Sequence, residues 1–486
     1  MMDIPIPVPV AVAVVSALVV AVVVPLVFQK KKRPSLTRSF SFTSEGMRLG
    51  CFPPSMQAPD TIINAAFYFE KPPTVENLAK LVIQPLLEYE RFSKIPVAST
   101  LRKSTNDYKP TDLIRTLTVS GNEDVLNETI YKELPGKLDQ NRNDLPWWEI
   151  ILLENSKGPS ACVLRLHHCL GDGLSLVNVF DKIMTSTDGT PMESKVTKAI
   201  LKRADSKLPI SSVLSAIVHV LTLGASKVDD ATVFFKRDSD LKYSGDRKVL
   251  LFPNVPLDFV KQLKNAAPMP ITINDILMFA ISQAIHEYCV AENDPVLKAK
   301  ARALQCRALL PASLPRSKAE VQDKTLAMRN KWCMVSADLS VGCETPLERL
   351  AAIHETTSFL KKSPRAFVQL WFQNNVGPLL PLSFGRQATF DIFSRHSLVL
   401  TNVPGPEKEC LFAKAKITGV QMIFPNVIPQ VDLLSYAGNI YGNIVYDPKD
   451  LPEGEIFAQL YAKALVDLAE VFLLKAPAAL KAATKS

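Results

Sequence analysis

No two of the eight cysteines in this 486-residue chain stand at Cys-x-x-Cys spacing. That removes a thioredoxin-like redox pair and the commonest paired-thiolate zinc sites. Thiols scattered singly, several of them in apolar runs, suit a reduced, cytosol-facing protein. No Gly-x-Ser-x-Gly string occurs, so no nucleophile elbow is available. There is no internal repeat, and the net charge of +8 is not gathered into the blocks that nucleic-acid binding needs.

The longest absence is of charge itself. From Ile4 to Phe28 there is no Asp, Glu, Lys or Arg, and Val10 to Phe28 alone is long enough to cross a bilayer. Lys30-Lys31-Lys32-Arg33 follows at once, and the positive-inside rule then places the bulk of the chain in the cytosol. A cleaved signal peptide is the competing reading. Against it, no basic residue precedes the run, which exceeds the apolar core of about 7–15 residues that such peptides carry. Residues 4–28 are therefore expected to be a single-pass transmembrane signal anchor, despite the prolines at 5, 7, 9 and 25.

The remaining length suits two domains. A basic, Ser-rich tether over 29–44 leads to a first domain at 45–204. A linker at 205–246 leads to a second domain at 247–486. Within the linker, Leu208 to Ala225 is apolar but carries Pro209, His219 and several serines. Interfacial or buried helix is preferred there, with a full span as the alternative.

Strands are expected at Ile62–Phe69, at Glu149–Leu153 and at Cys162–Leu164, and an amphipathic helix over Val75–Tyr89. In the second domain, strands are expected at Val249–Phe252, within Ala308–Arg316, where the strand ends in a turn, at Met334–Leu339 and at Ser397–Leu400. Thr272 with Asp275 three residues on is a capping box opening the helix Ile276–Tyr288. Thr401-Asn402-Val403-Pro404-Gly405-Pro406 reads as a rigid loop. Its prolines stop ladder pairing, and Gly405 permits a sharp turn or a close approach. The fold class is α/β.

His167-His168-Cys169-Leu170-Gly171-Asp172-Gly173 carries the chemistry. It follows a mostly apolar strand, Ala161–Leu166, expected to have one open face. It precedes a helix expected to begin at Ser175. A neutral imidazole, with an unperturbed pKa of about 6.5, can take a proton from a hydroxyl at working pH. Neighbouring strand side chains point to opposite faces, so only one histidine can serve a cleft. His168 is read as the base and His167 as support. Asp172 folds back either to fix an imidazole or to pin the turn to a basic partner such as Arg165, and Gly173 completes the turn. The alternatives are a structural pair, or a metal held with Asp172, although no Cys or His cluster elsewhere offers the missing ligands. Cys169 would point away from His168, which disfavours an acyl-enzyme. His286, His354 and His396 read as ordinary histidines on helical or loop surfaces.

The motif resembles the active site of CoA-dependent acyltransferases, and most of all the wax ester synthase/diacylglycerol acyltransferase family. Leu145-Pro146-Trp147-Trp148-Glu149 is similar to that family's Pro-Leu-Trp segment, with Trp147 where Leu is usual. Asn274-Asp275 matches its Asn-Asp helix start, and Thr401 to Pro406 resembles its Ser-Asn-Val-Pro-Gly-Pro. Ser435-Tyr436-Ala437-Gly438 and Tyr446-Asp447 also fit, so the resemblance spans roughly residues 45–470.

The resemblance implies a two-domain acyltransferase fold, with mixed sheets flanked by helices and the active site at the domain interface. It implies transfer of a long-chain acyl group from acyl-CoA, a substrate and not a cofactor, to a fatty alcohol or diacylglycerol. It also makes Thr401 or Asn402 a candidate oxyanion donor. Pro146, Trp148, Asn274, Asp275, Pro404 and Gly405 are expected to be structural. The partners expected are acyl-CoA, the lipid acceptor and membrane lipid, with no nucleic acid and no metal. The positive charge fits phospholipid headgroups or CoA phosphates, and the endoplasmic reticulum is the expected location by analogy. Condensation domains of peptide synthetases share His-His-x-x-x-Asp-Gly, but this chain has no carrier or adenylation module. Soluble plant-type acyltransferases carry a carboxyl-terminal Asp-Phe-Gly-Trp-Gly, which is missing here. A non-catalytic lipid-binding member of the fold is the remaining alternative.

Overall fold

The computed structural model describes residues 40–485, apart from most of 135–143, all of 193–209 and 236–240, and a few single positions. The expected anchor at 4–28, most of the tether and the carboxyl end of the first expected domain lie outside the described residues. Residues 42–44, read as tether, instead begin a helix, α1 (Phe42–Leu49), which Ser41 caps by accepting from the Ser44 amide.

Four longer strands follow in the first half: β1 (Ile62–Phe69), β2 (Ile114–Val119), β3 (Trp148–Asn155) and β4 (Ser160–His167). The helices α2 (Gly173–Ile183) and α3 (Ile210–Thr222) come next. The second half supplies β5 (Lys248–Leu251), α4 (Ile273–Ala291), β6 (Arg307–Ser313) and β7 (Trp332–Asp338). Three helices, α5 (Pro346–Lys362), α6 (Arg365–Asn375) and α7 (Leu382–Phe393), precede β8 (Leu398–Pro404). The chain then forms β9 (Ala415–Ile423), β10 (Gln430–Tyr436), β11 (Asn439–Tyr446) and α8 (Phe457–Val471).

Two large mixed sheets result, beside a small antiparallel pair of strands at 95–97 and 100–102. The first has the order β2-β3-β4-β1-β9, extended by short strands at 410–412 and 184–186, with β2 and β3 parallel. The second has the order β7-β6-β8-β10-β11-β5, with β8 parallel to both neighbours. β9 belongs to the second half yet pairs with β1, Ala65 facing Met422 and Phe67 facing Val420. The half that starts at 247 therefore does not keep to one sheet. The larger core packs α4 and α8 on the second sheet.

β4 has no open face. One side packs with Leu176 and Val179 of α2, the other with Leu126 and Ile130 of the helix at 123–133. Arg165 survives in that setting because it is paired: Nη1 donates to Glu149 at 2.9 Å and Nε to Asn64 at 3.2 Å, across adjacent strands. The helix expected over 75–89 runs from Val75 only to Leu86, widened into a π-turn at Ala79–Ile83. Pro85 has no N–H for a regular helical bond, which the wider turn accommodates.

α3 has 13 residues, about 20 Å of helix against a hydrocarbon core of about 30 Å. It lays Ala216 and Ile217 against Val368 of α6 and leaves Leu214 and Val218 exposed. Among the described residues no helix is long and apolar enough to cross a membrane.

β8 was expected to give way to a loop after Leu400 but continues to Pro404. Its pairing with β6 covers only Leu398 and Val399, while β10 accompanies it to the end. Pro404 thus sits where one edge of the strand is free and a missing N–H is tolerated.

Candidate active site

The amide of His168 donates to the Thr61 carbonyl at 2.7 Å. A single 3₁₀ turn, His168–Leu170, then takes the chain off the sheet. Asp172 caps α2, its Oδ1 accepting from the Ser175 amide at 2.8 Å. The helix therefore starts earlier than expected, and Ser175 is the third residue of a capping box, not its cap. Gly171 is needed for space: a Cβ there would lie 2.5 Å from Met328 Cε and 2.8 Å from Ser175 Oγ.

The two histidines separate as strand geometry requires. His167 is buried, its Nδ1 accepts from the Cys169 amide at 3.2 Å, and its ring meets Trp147 edge-on. Burial, with lesser contributions from His168 and Arg48, lowers its pKa to about 3. It is a neutral brace for the turn. His168 lines a cavity of about 400 Å³ where the two sheets meet. Trp332 and Phe424 flank the imidazole, with ring centroids at 5.3 and 6.0 Å. Burial holds its pKa below the ordinary value, against smaller opposing effects of its own backbone, Asp172 and Asn330. The ring is therefore neutral at neutral pH, the form a general base requires. Its Nδ1 is enclosed without a hydrogen-bond partner.

Asp172 does not hold that ring. Its Oδ2 accepts from the Lys331 amide at 2.8 Å and from Arg316. The basic partner is thus Arg316 and not Arg165, which Glu149 and Asn64 occupy. Cys169 is fully buried and its thiol is pushed upward by burial, which makes it inert as a nucleophile.

The cavity gathers Asp172, Gly173, Thr401 and Asn402 with His168. The other predicted residues stand behind it. Trp148 is buried and donates from Nε1 to the Phe92 carbonyl at 2.8 Å, and Pro146 accepts from the Trp148 amide. Asn274 Oδ1 accepts from Asn402 Nδ2 at 2.7 Å, which ties the start of α4 to the cavity wall. Asp275 closes the capping box with Thr272 and also accepts from Thr357 at 2.6 Å and His354 at 2.9 Å. Burial opposes its charge, but these bonds win and keep its carboxyl below the usual range. Pro404 ends β8, and a Cβ on Gly405 would lie 2.3 Å from the Ser435 carbonyl oxygen. The close approach expected at Gly405 is to a neighbouring strand. His396 is buried, bonded to the Ile392 carbonyl and the Ser336 hydroxyl, and so is no surface residue.

Several residues of the site were not anticipated. α1 lies over the histidine turn, with Phe42, Thr43, Gly46 and Met47 on the cavity wall. Its buried Ser44 accepts from Arg91 Nη1 at 3.2 Å and Asn330 Nδ2 at 2.9 Å. Those donors also hold the turn itself: Arg91 reaches the Cys169 carbonyl at 2.9 Å, and Asn330 the His168 carbonyl at 2.8 Å. The local signal for α1 was Ser41 as cap with Glu45 in the first turn. Asp432, also on the cavity wall, is fully enclosed, and burial raises its pKa to about 7 against bonds from Gln430 and the Phe424 amide.

Comparison with known proteins bears on the family and the fold. A model of the wax ester synthase/diacylglycerol acyltransferase catalytic domain matches residues 93–275, and one of the same family's C-terminal domain matches 328–469. A probable diacylglycerol O-acyltransferase of Mycobacterium tuberculosis is 26% identical over 352 residues, covering 67% of this chain and 72% of that protein. Wax ester synthase/diacylglycerol acyltransferase 8 of Arabidopsis thaliana is 25% identical over 367 residues, covering 65% and 72%. Among solved structures, the wax ester synthase/diacylglycerol acyltransferase of Marinobacter aquaeolei superposes with a TM-score of 0.59 at 16% identity, over 90% of this chain and 100% of that one. The first condensation domain of the calcium-dependent antibiotic synthetase gives 0.58 at 12% identity, over 92% and 99%. At such identities these two likenesses speak for the fold alone. The paired family models, matched in order across both halves, show that the chain belongs to the wax ester synthase/diacylglycerol acyltransferase family of acyltransferases.

Proposed function

We propose that the protein transfers a long-chain fatty acyl group from acyl-CoA to a lipid alcohol, with His168 as general base. The observation that carries this reading is a half-buried, neutral imidazole, His168, facing a largely apolar cavity between the sheets. The acceptor hydroxyl gives its proton to His168 Nε2 as its oxygen attacks the thioester carbonyl. A carbon–oxygen bond forms, the carbon–sulfur bond breaks, and the imidazolium returns the proton to the CoA thiolate. The Thr401 hydroxyl, or the second Nδ2 hydrogen of Asn402, is the donor for the developing oxyanion. A fatty alcohol would give a wax ester, and diacylglycerol would give triacylglycerol. The names of the Mycobacterium and Arabidopsis relatives support both acceptors.

In the same reading, residues 4–28 hold the enzyme at a bilayer, the endoplasmic reticulum, where both acceptors dissolve. The uncharged run and the basic residues at 30–33 support it.

The test is to incubate wild type and His168→Ala with labelled palmitoyl-CoA and equal hexadecanol and diacylglycerol, then separate neutral lipids. The expected result is labelled ester that disappears in the variant. Folded wild-type protein that makes no ester from either acceptor would overturn the proposal and favour another nucleophile or a binding role.

A further inference from the structure

A second cavity, of about 90 Å³, adjoins the first. The two share Ile63, Gly173, Val403 and Met422, so they join at the helix start just after the histidine turn. From that junction the smaller cavity runs between α2 and the strands β1 and β9. Along β1 it touches Ile63, Ala65, Ala66 and Phe67, of which Ile63, Ala65 and Phe67 share one face. Along α2 it touches Gly173, Val177, Phe180 and, just past the helix, Met184. At the helical rise that stretch is about 16 Å long. Apart from Asp181, Gln421, Ser435 and the Tyr436 hydroxyl, its lining is apolar.

We infer that this branch holds the acyl chain of the thioester, and that Phe180 with Phe67 and Met184 forms the stop that sets its preferred length. The inference rests on the acyl transfer proposed above. An apolar, nearly donor-free wall favours an unbranched aliphatic chain and nothing polar. The branch has room for one chain. A diacylglycerol, with two chains and a polar backbone, needs the larger cavity. The junction beside His168 puts the reacting carbonyl at the mouth, the chain inward and the sulfur outward.

The stop is stiff, because Phe67 meets Phe180 edge-to-face at 5.8 Å and stacks on Phe412 at 4.9 Å. Midway, Ala65 is the one residue of β1 that is not buried. Its methyl group leaves the space that a larger strand residue would fill.

The experiment measures kcat/KM for octanoyl- to stearoyl-CoA with one fixed acceptor, in wild type, Ala65→Leu and Phe180→Ala. A second series varies acceptor length with palmitoyl-CoA fixed. Ala65→Leu should lower palmitoyl-CoA efficiency relative to octanoyl-CoA by about tenfold or more, the scale of filling a hydrophobic pocket. Phe180→Ala should move the optimum to longer acyl chains, with the acceptor profile unchanged. An unaltered acyl profile in both variants overturns the inference. So does a uniform fall at every chain length, or a shift confined to the acceptor series. Wild type inactive with every acyl-CoA would instead sink the proposed function beneath it.

Discussion

Asp172 and Arg316 form an ion pair across 144 residues of sequence, with side chains 2% and 0% exposed. The carboxylate belongs to the histidine turn and the guanidinium to the segment after β6, so the pair joins the two halves behind the cavity. Asp172 therefore shapes the turn that carries His168 and acts on the imidazole by its charge, without a hydrogen bond to the ring.

Removing one partner leaves the other charge buried and alone, at a cost of about 3–5 kcal/mol. Asp172→Asn, which keeps a helix cap, and Arg316→Met should each lower the urea midpoint and kcat. The double variant should recover part of the stability. Additive losses in the double-mutant cycle would show that the two residues are not coupled.

The pH profile should carry the mark of a depressed imidazole. With its pKa below the ordinary value, His168 stays neutral as pH falls past about 6.5. The acid limb of kcat/KM should lie under that point, and a limb at or above it contradicts the assignment. His167 is lowered to about 3. Its stabilising contribution is full above its unfolded pKa of about 6.5 and is lost progressively as pH falls toward 3. Wild type should lose Tm more steeply across that window than His167→Asn.

Asp432 works in the opposite sense. Burial raises its carboxyl to about 7, so the neutral form is the one the fold favours. Its contribution is full below its unfolded pKa of about 3.9 and is lost as pH rises through the folded value. Asp432→Asn should raise Tm at about pH 8.5 and gain nothing near pH 4. Thermal scans at both pH values check it, and an equal effect at both would refute the shift.

Asn330 is a positioning residue. Asn330→Ala should leave the His168 carbonyl and Ser44 short of a donor, costing about 1–3 kcal/mol, and lower kcat with little change in KM. Thermal melts and steady-state kinetics separate the two effects. A raised KM at constant kcat would mean that Asn330 meets the substrate directly.

What was legible in the sequence was local. β1 and the β3–β4 pair announced themselves by apolar runs, the capping box Thr272–Asp275 by its spacing, and His168 by the alternation that sends His167 the other way. What was not legible depended on distant partners. Arg165 was a near neighbour of Asp172, but strand geometry delivers it to Glu149 and Asn64. Arg316, Asn330 and Asp432 carry no local sign of their task, because the groups they hold lie far along the chain. Pro404 marked a break that the free edge of β8 makes unnecessary. The crossing of β9 into the first sheet had no local signature at all.

That crossing bears on how the protein is born. β1 has no partner on its β9 side until residue 423 has been synthesised. It waits through most of translation as an open edge, the feature that recruits stray strands from other chains. A chain cut at the linker would carry that edge for good, so the halves cannot be traded as cassettes between relatives. His168 emerges early from the ribosome, with α1 already made, but the opposite wall of its cavity, from Val399 to Asp432, is among the last things made.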